Sequence, residues 1–564
     1  MSEPMVSGAE LVCATLTRAG VDCVFGLPGT QTTGLYEALR RAPLRSVVAT
    51  HELSAAMMAN GYYRASGRIA ALLTIPGPGF TWALTGLAEA ALDSAALLHL
   101  TMQPARSPGQ QFQLQALDQA AIAGPLSKGQ YHVDHATGIA PALLAAHAQA
   151  GAGEPGPVLV QFASDALREA APLADVAPPS PPPLDEAALD AVLATLRQAG
   201  RCMLLLGQGC AAAAGLATQL AETLSAAVVT TTSGRGVVAE DHPLSLGFAF
   251  AGNECGTLNA LVEASGAVLA IGCKFSHNGS RGFELRLPPE KLIHVDASAA
   301  VLGANYPARH AICADAATFL AALLQRLQTK PGHAGFSHDE IAQWRRRADD
   351  ERDRRRVEPR IHGVDGGQPQ AFFAALRQAL PRHGCLLTDS GQHQGLARRH
   401  FPVLCPRGLI VPTNLQSMGF GIGAAIGACL ADPARPVVAL VGDGGLAMSG
   451  LELLTAVRER LRLTVIVFVD GAYGLIRMQQ LAGSGHAYGT EFDSVDVAAL
   501  AAAVGATHAR LQGDAQATLA AAIEAPGVTL VEVRVGDSAP MHWLRAKSRL
   551  RGSRLRRWWR RLRR

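Results

Sequence analysis

Residues 442–474, GDGGLAMSGLELLTAVRERLRLTVIVFVDGAYG, set out a strand end, a glycine turn, a helix, a second strand and another polar turn in one run. Short Val, Ile and Leu clusters on either side of a helical stretch predict two parallel strands joined by a crossing helix. In open sheets of that kind, ligands collect beyond the carboxyl ends of the strands. Asp443 stands at one such end, and Asp470, 27 positions on, stands at the next. Their oxygens suit a hard divalent cation, and the amides of Gly444 and Gly445 lie open to a phosphate with no Cβ in the way. The run therefore predicts a metal held against a diphosphate. Gly-Asp-Gly alone is also an ordinary turn, so the rest of the chain decides.

Outward from this run the same alternation recurs. VVAT and ALLTI, then CMLLLG, AVVTT, AVLAIG and LIHVD, then CLLTD, PVVALVG, LTVIVFV and VTLVEV are strand-like runs separated by alanine-rich helical stretches. They predict an α/β chain of three open parallel-sheet domains, 1–170, 185–328 and 363–537, followed by a basic tail, 538–564. Residues 171–184, APLADVAPPSPPPL, read as a semi-rigid linker. A second seam, 329–362, contains WRRRADDERDRRRVEPR, which reads as a solvated helix. A chain of 564 residues accommodates three to four domains at about 150 residues each. Hydrophobic content of 49% against 17% charged residues is core-forming and excludes a disordered chain.

Five segments, in order, carry a resemblance: VVATHELSAAMMANGYYRASG (47–67), LTIPGPGF (73–80), DSGQHQ (389–394), NLQSMGFGIGAAIG (414–427) and the 442–474 run. Together they resemble the thiamine diphosphate enzymes of the acetolactate synthase, benzoylformate decarboxylase and pyruvate oxidase superfamily. The resemblance implies that the first domain binds the aminopyrimidine, the third binds the diphosphate with Mg²⁺, and a working site forms between two copies. A homodimer or homotetramer is then expected, with an inactive monomer. It assigns Asp443, Asp470 and the carbonyl of Ala472 to the metal. Gly391, Gln392, His393, Gly444, Gly445 and Tyr473 fall to the cofactor. Met418, next to Gly419, resembles the bulky residue that bends the cofactor. Glu52, after VVAT and ahead of a helix starting near Leu53, resembles the acid that protonates the aminopyrimidine. One departure stands out. The family usually places Asn where this chain has Asp470, which keeps an oxygen donor and adds a negative charge.

The resemblance implies a 2-oxo acid substrate that loses CO₂. Simple pyruvate decarboxylases of the superfamily carry paired histidines in the first domain, whereas 107–119, SPGQQFQLQALDQ, contains none. That favours an acetolactate synthase-like carboligase with a second carbonyl compound as acceptor. The alternatives are a non-oxidative decarboxylase of benzoylformate decarboxylase type, with His277 handling protons, or a catalytically silent subunit of the same fold. After the strand AVLAIG the chain reads CKFSHNG (273–279), without the arginine and acidic pair that accompany FAD in acetolactate synthases, which argues against a flavin.

Ten cysteines are scattered without metal-ligand spacing, as in a reduced cytoplasmic protein. No basic region precedes an apolar run at the N-terminus, and no stretch approaches the roughly 18 apolar residues of a spanning helix, so secretion and anchoring are not expected. From Ser538 on there are eleven Lys or Arg and no acid; the other 39 basic and 46 acidic residues leave about −7, so the overall +4 belongs to the tail. Leu555, Trp558, Trp559 and Leu562 give that basic segment an apolar stripe, suited to an anionic membrane surface, to RNA or to an acidic protein partner.

Overall fold

The computed structural model describes residues 5–104, 111–172, 184–251, 255–328, 335–354 and 358–536. Most of the proline-rich linker, residues 107–110, part of the charge run and the whole basic tail lie outside the described residues, and with them the expected peripheral contact of the tail with an anionic surface or partner.

In the first unit, strands β1 (Cys23–Gly26), β2 (Arg45–Val48), β3 (Ala70–Thr74), β4 (Leu97–Gln103), β5 (Gly129–Val133) and β6 (Pro157–Ala163) form a parallel sheet in the order β2-β1-β3-β4-β6-β5. β3 and β6 are buried along their whole length, as strands covered on both faces must be. Met5–Ser7 pairs antiparallel with Ala170–Pro172, tying the two ends of the unit together. Two helices leave the carboxyl edge of this sheet. α1 (Glu52–Ser66) begins at Glu52 itself because the His51 ring accepts from Leu53 N at 3.0 Å and caps it. α2 (Pro78–Leu92) opens on proline, whose fixed φ and missing N–H suit a first turn.

The central unit is a parallel sheet of β7 (Cys202–Leu206), β8 (Ala227–Thr230), β9 (Ala267–Ile271), β10 (Leu292–Asp296) and β11 (His310–Cys313), in the order β8-β7-β9-β10-β11. The charge run forms α3 (His338–Asp353), started by a capping box between Ser337 and Glu340. It is a packed helix of this unit rather than a wholly solvated one. Ile341 and Ala348 join the central core, Trp344 lies against it, and buried Glu351 accepts from Thr257 N at 2.8 Å. Apolar residues at 341, 344 and 348 are one helical stripe, hidden in the sequence by the surrounding charge.

The third unit holds β12 (Arg360–Ile361), β13 (Cys385–Thr388), β14 (Leu409–Ile410), β15 (Val437–Gly442), β16 (Leu463–Val469), β17 (Thr507–Arg510) and β18 (Val528–Gly536). Their order is β12-β18-β16-β15-β13-β14, with β17 on β18 and only β12 antiparallel. Three helices matter to the site: α4 (Gln392–His400), α5 (Phe420–Ala431) and α6 (Asp443–Ser449). Every residue of α5 is buried, because α1 of the first unit covers the face turned away from its own sheet. The contact is made backbone to backbone. A Cβ on Gly61 would stand 2.1 Å from the Ala424 carbonyl oxygen, and one on Gly427 would stand 2.0 Å from that of Met58. Met57, Met58, Ile422 and Ile426 are fully buried around this seam, each contributing roughly 1.5–3 kcal/mol.

Candidate active site

A cavity of about 350 Å³ opens at the carboxyl ends of β13, β15 and β16. Every residue that the sequence assigned to the metal or the cofactor lines it, except Gly419 directly behind Met418. Asp443, 1% exposed, is gripped by four donors: Gly444 N on Oδ1 at 3.0 Å, and Asp470 N, Gly471 N and Ser494 Oγ on Oδ2 at 3.2, 2.8 and 2.6 Å. They fix the direction of the carboxylate and leave a lone pair on Oδ1 for a cation.

Asp470 accepts from Arg477 Nη2 at 3.1 Å, with both side chains nearly buried. The charge that Asp brings in place of an amide is thus met by a guanidinium seven residues on. The Ala472 carbonyl accepts from Gly474 N at 2.9 Å and keeps its second lone pair. A Cβ on Gly474 would stand 2.5 Å from Asp470 Oδ2 and 3.1 Å from Gln392 Oε1, so oxygens from two loops converge there. Among the described residues no three His, Cys, Asp or Glu are grouped to hold a metal alone. Mg²⁺ is satisfied by one or two carboxylates plus phosphate oxygens and water, so this donor set fits it.

The cavity wall also holds one buried ring nitrogen without a partner. His393 is buried, its basicity pushed down to about 4 by desolvation, and its Nε2 has no hydrogen-bond partner. Gly391 sits at φ 152°, and a Cβ there would stand 2.8 Å from the His393 ring, so glycine lets the ring lie over the turn. Gly444 and Gly445 make room for side chains as well as for a ligand. A Cβ on Gly444 would meet the Tyr473 ring at 3.0 Å and Met418 Cε at 3.3 Å; one on Gly445 would meet Asp389 Oδ2 at 2.5 Å. Asp389 had escaped the sequence reading. Fully buried, with its carboxyl pushed up to about 6 by desolvation, it accepts from Ser390 N at 2.6 Å and Gly419 N at 3.0 Å and anchors the turn that carries Met418. Its place at the end of β13 was the available signal. Ser494 and Arg477 had no motif to announce them.

Glu52 and His277 lie elsewhere. Glu52 opens α1, is 5% exposed, has Oε1 at 3.0 Å from where a Cβ on Gly79 would be, and has a buried Oε2 without a partner. It does not line the cavity of its own chain. Exposed large apolar side chains stand near it, alongside the exposed Thr50 and His51. Trp82 is 56% exposed and stacks on His51 at 4.9 Å, and Leu451 is 64% exposed. Thr50 binds Glu452 through its amide and hydroxyl at 3.0 and 2.5 Å, which fixes the 448–454 stretch beside the start of α1. His277 occupies an exposed turn of the central unit, edge-on to Phe283 at 5.9 Å, and lines neither this cavity nor the one beside it. That neighbouring cavity, about 280 Å³, lies at the carboxyl ends of the central strands. Its lining carries Asp93, Glu154, Asp296 and Asp315 against Lys274 and Arg407, and Lys274 is paired with Glu154 at 2.5 Å. Carboxylates in the majority fit a dinucleotide diphosphate poorly.

Comparison with known proteins agrees in all three units. Residues 6–122, 189–323 and 389–533 match, in turn, the N-terminal TPP binding domain, the central domain and the C-terminal TPP binding domain of thiamine pyrophosphate enzymes. Acetolactate synthase isozyme 1 large subunit of Escherichia coli (strain K12) is 30% identical over 540 residues, covering 94% of each chain. Isozyme 3 large subunit of the same organism is 31% identical over 490 residues, 84% of each chain. Acetolactate synthase large subunit of Lactococcus lactis is 28% identical over 494 residues, 85% of this chain and 83% of that one. No helix among the described residues is long and apolar enough to cross a membrane. The chain belongs to the thiamine diphosphate-dependent enzymes of the acetolactate synthase superfamily.

Proposed function

We propose that the chain is an acetolactate synthase-like carboligase that removes CO₂ from a 2-oxo acid and joins the remaining acyl unit to a second carbonyl compound. The observation that carries this is the locked Asp443 carboxylate, with Asp470 and the Ala472 carbonyl beside it, in a cavity that also holds Met418 and His393, whose buried Nε2 has no partner. When bound, thiamine diphosphate supplies a carbon nucleophile and a sink for the electron pair left by CO₂. Asp443, Asp470 and the Ala472 carbonyl would hold Mg²⁺, Gln392 and His393 would contact the diphosphate, and Met418 would support the cofactor from the cavity wall.

Glu52 holds a proton for the aminopyrimidine from a second copy of the chain. Its absence from its own chain's cavity and the exposed apolar side chains near it support that arrangement, in a homodimer or larger homo-oligomer. Carboligation is favoured over release of a free aldehyde by the neighbours of the turn beside Glu52. The Cβ of Gln115 lies 3.1 Å from where a Cβ on Gly77 would be, and its amide oxygen accepts from Gln31 at 2.5 Å, so an amide pair, and no histidine, stands among the nearest neighbours of the turn. No step proposed here uses a flavin. Ten free thiols, nine of them buried or half-buried, suit a reducing, cytoplasmic setting.

The test is product analysis. Purified protein with thiamine diphosphate and Mg²⁺ is incubated with a panel of 2-oxo acids, with and without carbonyl acceptors, and products are identified by mass spectrometry. CO₂ together with a hydroxyketone-type product is expected when an acceptor is present. Free aldehyde alone with every acceptor would transfer the assignment to a simple decarboxylase, and no CO₂ from any acid would leave a silent subunit.

A further inference from the structure

Met418 is held from both sides by buried carboxyls, and only one of them belongs to its own unit. Asp389 takes Gly419 N, as described. On the other side Glu89 of α2, fully buried, reaches across from the first unit and accepts from Ser417 N at 3.0 Å and Ser417 Oγ at 2.5 Å through the same oxygen, Oε2. Four residues along the same helix face, Asp93 accepts from Thr413 N at 2.8 Å, Asn414 N at 3.0 Å and Asn414 Nδ2 at 3.1 Å, and pairs with Arg64 of α1 at 3.1 Å. Two carboxylates one helical turn apart thus grip residues 413–417, the segment that delivers Met418.

We propose that Glu89 is a positioning residue for the reaction: through Ser417 it sets how far Met418 projects into the cavity, and it ties that depth to the docking of the first unit. Its second oxygen, Oε1, is buried with no partner, so the carboxyl has nothing else to serve. Burial first, then the charge of Asp93, raises its proton affinity, while the Ser417 bonds and Arg64 oppose that. The charged groups facing it are Asp93, at the C-terminal cap of its own helix, and Arg64 on α1.

The inference rests on reading Met418 as the cofactor's support, so Met418→Ala is the reference. Full-length holoenzyme variants are compared by near-ultraviolet circular dichroism of bound thiamine diphosphate, by kcat and KM, and by pH profile. Met418→Ala should lose the bound-cofactor signal and lower kcat; if it does neither, the cofactor reading fails and not the clasp alone. Glu89→Ala should change the signal in the same direction, with kcat down about tenfold and KM little moved. Glu89→Gln keeps an acceptor for Ser417 and should restore both while removing one ionisation from the pH profile of kcat. Should Glu89→Ala not fold, Ser417→Ala removes only the hydroxyl bond and should give a smaller change of the same sign, present also in the Glu89→Gln background, where the amide oxygen still accepts from Ser417; wild-type signal and kcat in Ser417→Ala would overturn the proposal. Wild-type signal and kcat in Glu89→Ala alongside a defective Met418→Ala would overturn the proposal, as would a Gln variant no better than the Ala variant.

Discussion

Asp470 and Arg477 offer the sharpest test of how the metal loop is built. They pair at 3.1 Å with side chains 13% and 8% exposed, dry enough for the pair to be coupled rather than screened. At an effective dielectric of about 20, charges at that distance attract by about 5 kcal/mol, and stranding one partner of such a buried pair costs about 3–5 kcal/mol. Asp470→Asn and Arg477→Met should therefore each destabilise the cofactor-free protein by about 3 kcal/mol, or roughly 6–12 °C in the melting of a unit of about 150–250 residues. The double variant should lose clearly less than the two combined. Calorimetry of the three variants measures this coupling. Equilibrium dialysis against thiamine diphosphate with and without Mg²⁺ measures the second half of the expectation. Asp470→Asn keeps its side-chain oxygen and should retain Mg²⁺-dependent binding, whereas Asp443→Ala should abolish it. Additive melting shifts would show that the guanidinium does not compensate Asp470. Loss of cofactor in Asp470→Asn as complete as in Asp443→Ala would show that the negative charge, and not the oxygen, makes the site.

Gly427→Ala drives a methyl to within 2.0 Å of the Met58 carbonyl oxygen, a backbone atom that cannot swing aside; α1 and α5 should separate at a cost of about 1–3 kcal/mol, read as a lower melting temperature. The Glu89 carboxyl is raised from 4.5 to about 7 by burial and by Asp93. The folded chain then retains a proton that the unfolded chain has released, so this group's contribution makes stability fall as pH climbs from about 4.5 to about 7 and level off above it. Glu89→Gln should flatten that part of the stability profile in chemical denaturation at stepped pH, and an unchanged slope would count against the shift. Leu451→Asp places a charge on a residue already 64% exposed, so the single chain should fold normally. Ultracentrifugation should find it dissociated and inactive, and a wild-type oligomer would remove Leu451 from the interface.

Much of this was legible because the chemistry hangs on strand ends, and strand ends are written in the Val, Ile and Leu runs that precede them. Asp443, Asp470, Gln392 and His393 each follow such a run within a few residues, and they meet in one cavity because β13, β15 and β16 are neighbours. What stayed hidden shares a physical cause. Asp389 and Glu89 bind backbone amides, which no residue pattern advertises, and Arg477 meets Asp470 only once the turn at Tyr473 has folded. The glycines of 442–474 were open to a simple reading as phosphate contacts, while the space they leave also admits Tyr473, Met418 and Asp389. The place of Glu52 outside its own chain's cavity depends on how α1 packs on α5, a contact between helices more than 350 residues apart. α3 was masked by its own surface, since a three-residue apolar stripe is easily lost among sixteen residues that are mostly charged.

A site completed by two chains is tested directly by complementation. Glu52→Gln and Asp443→Ala are each purified, confirmed inactive in forming ligated product from a 2-oxo acid, dissociated, mixed in equal amounts and reassociated with thiamine diphosphate and Mg²⁺. If Glu52 serves the partner's cavity, each mixed dimer rebuilds one intact site from the two unaltered halves and ruins the other. Random pairing should then return about a quarter of wild-type product formation. Mixtures as inactive as their parents, under conditions where wild-type and tagged wild-type chains exchange freely, would contradict the shared site and return Glu52 to the cavity of its own chain.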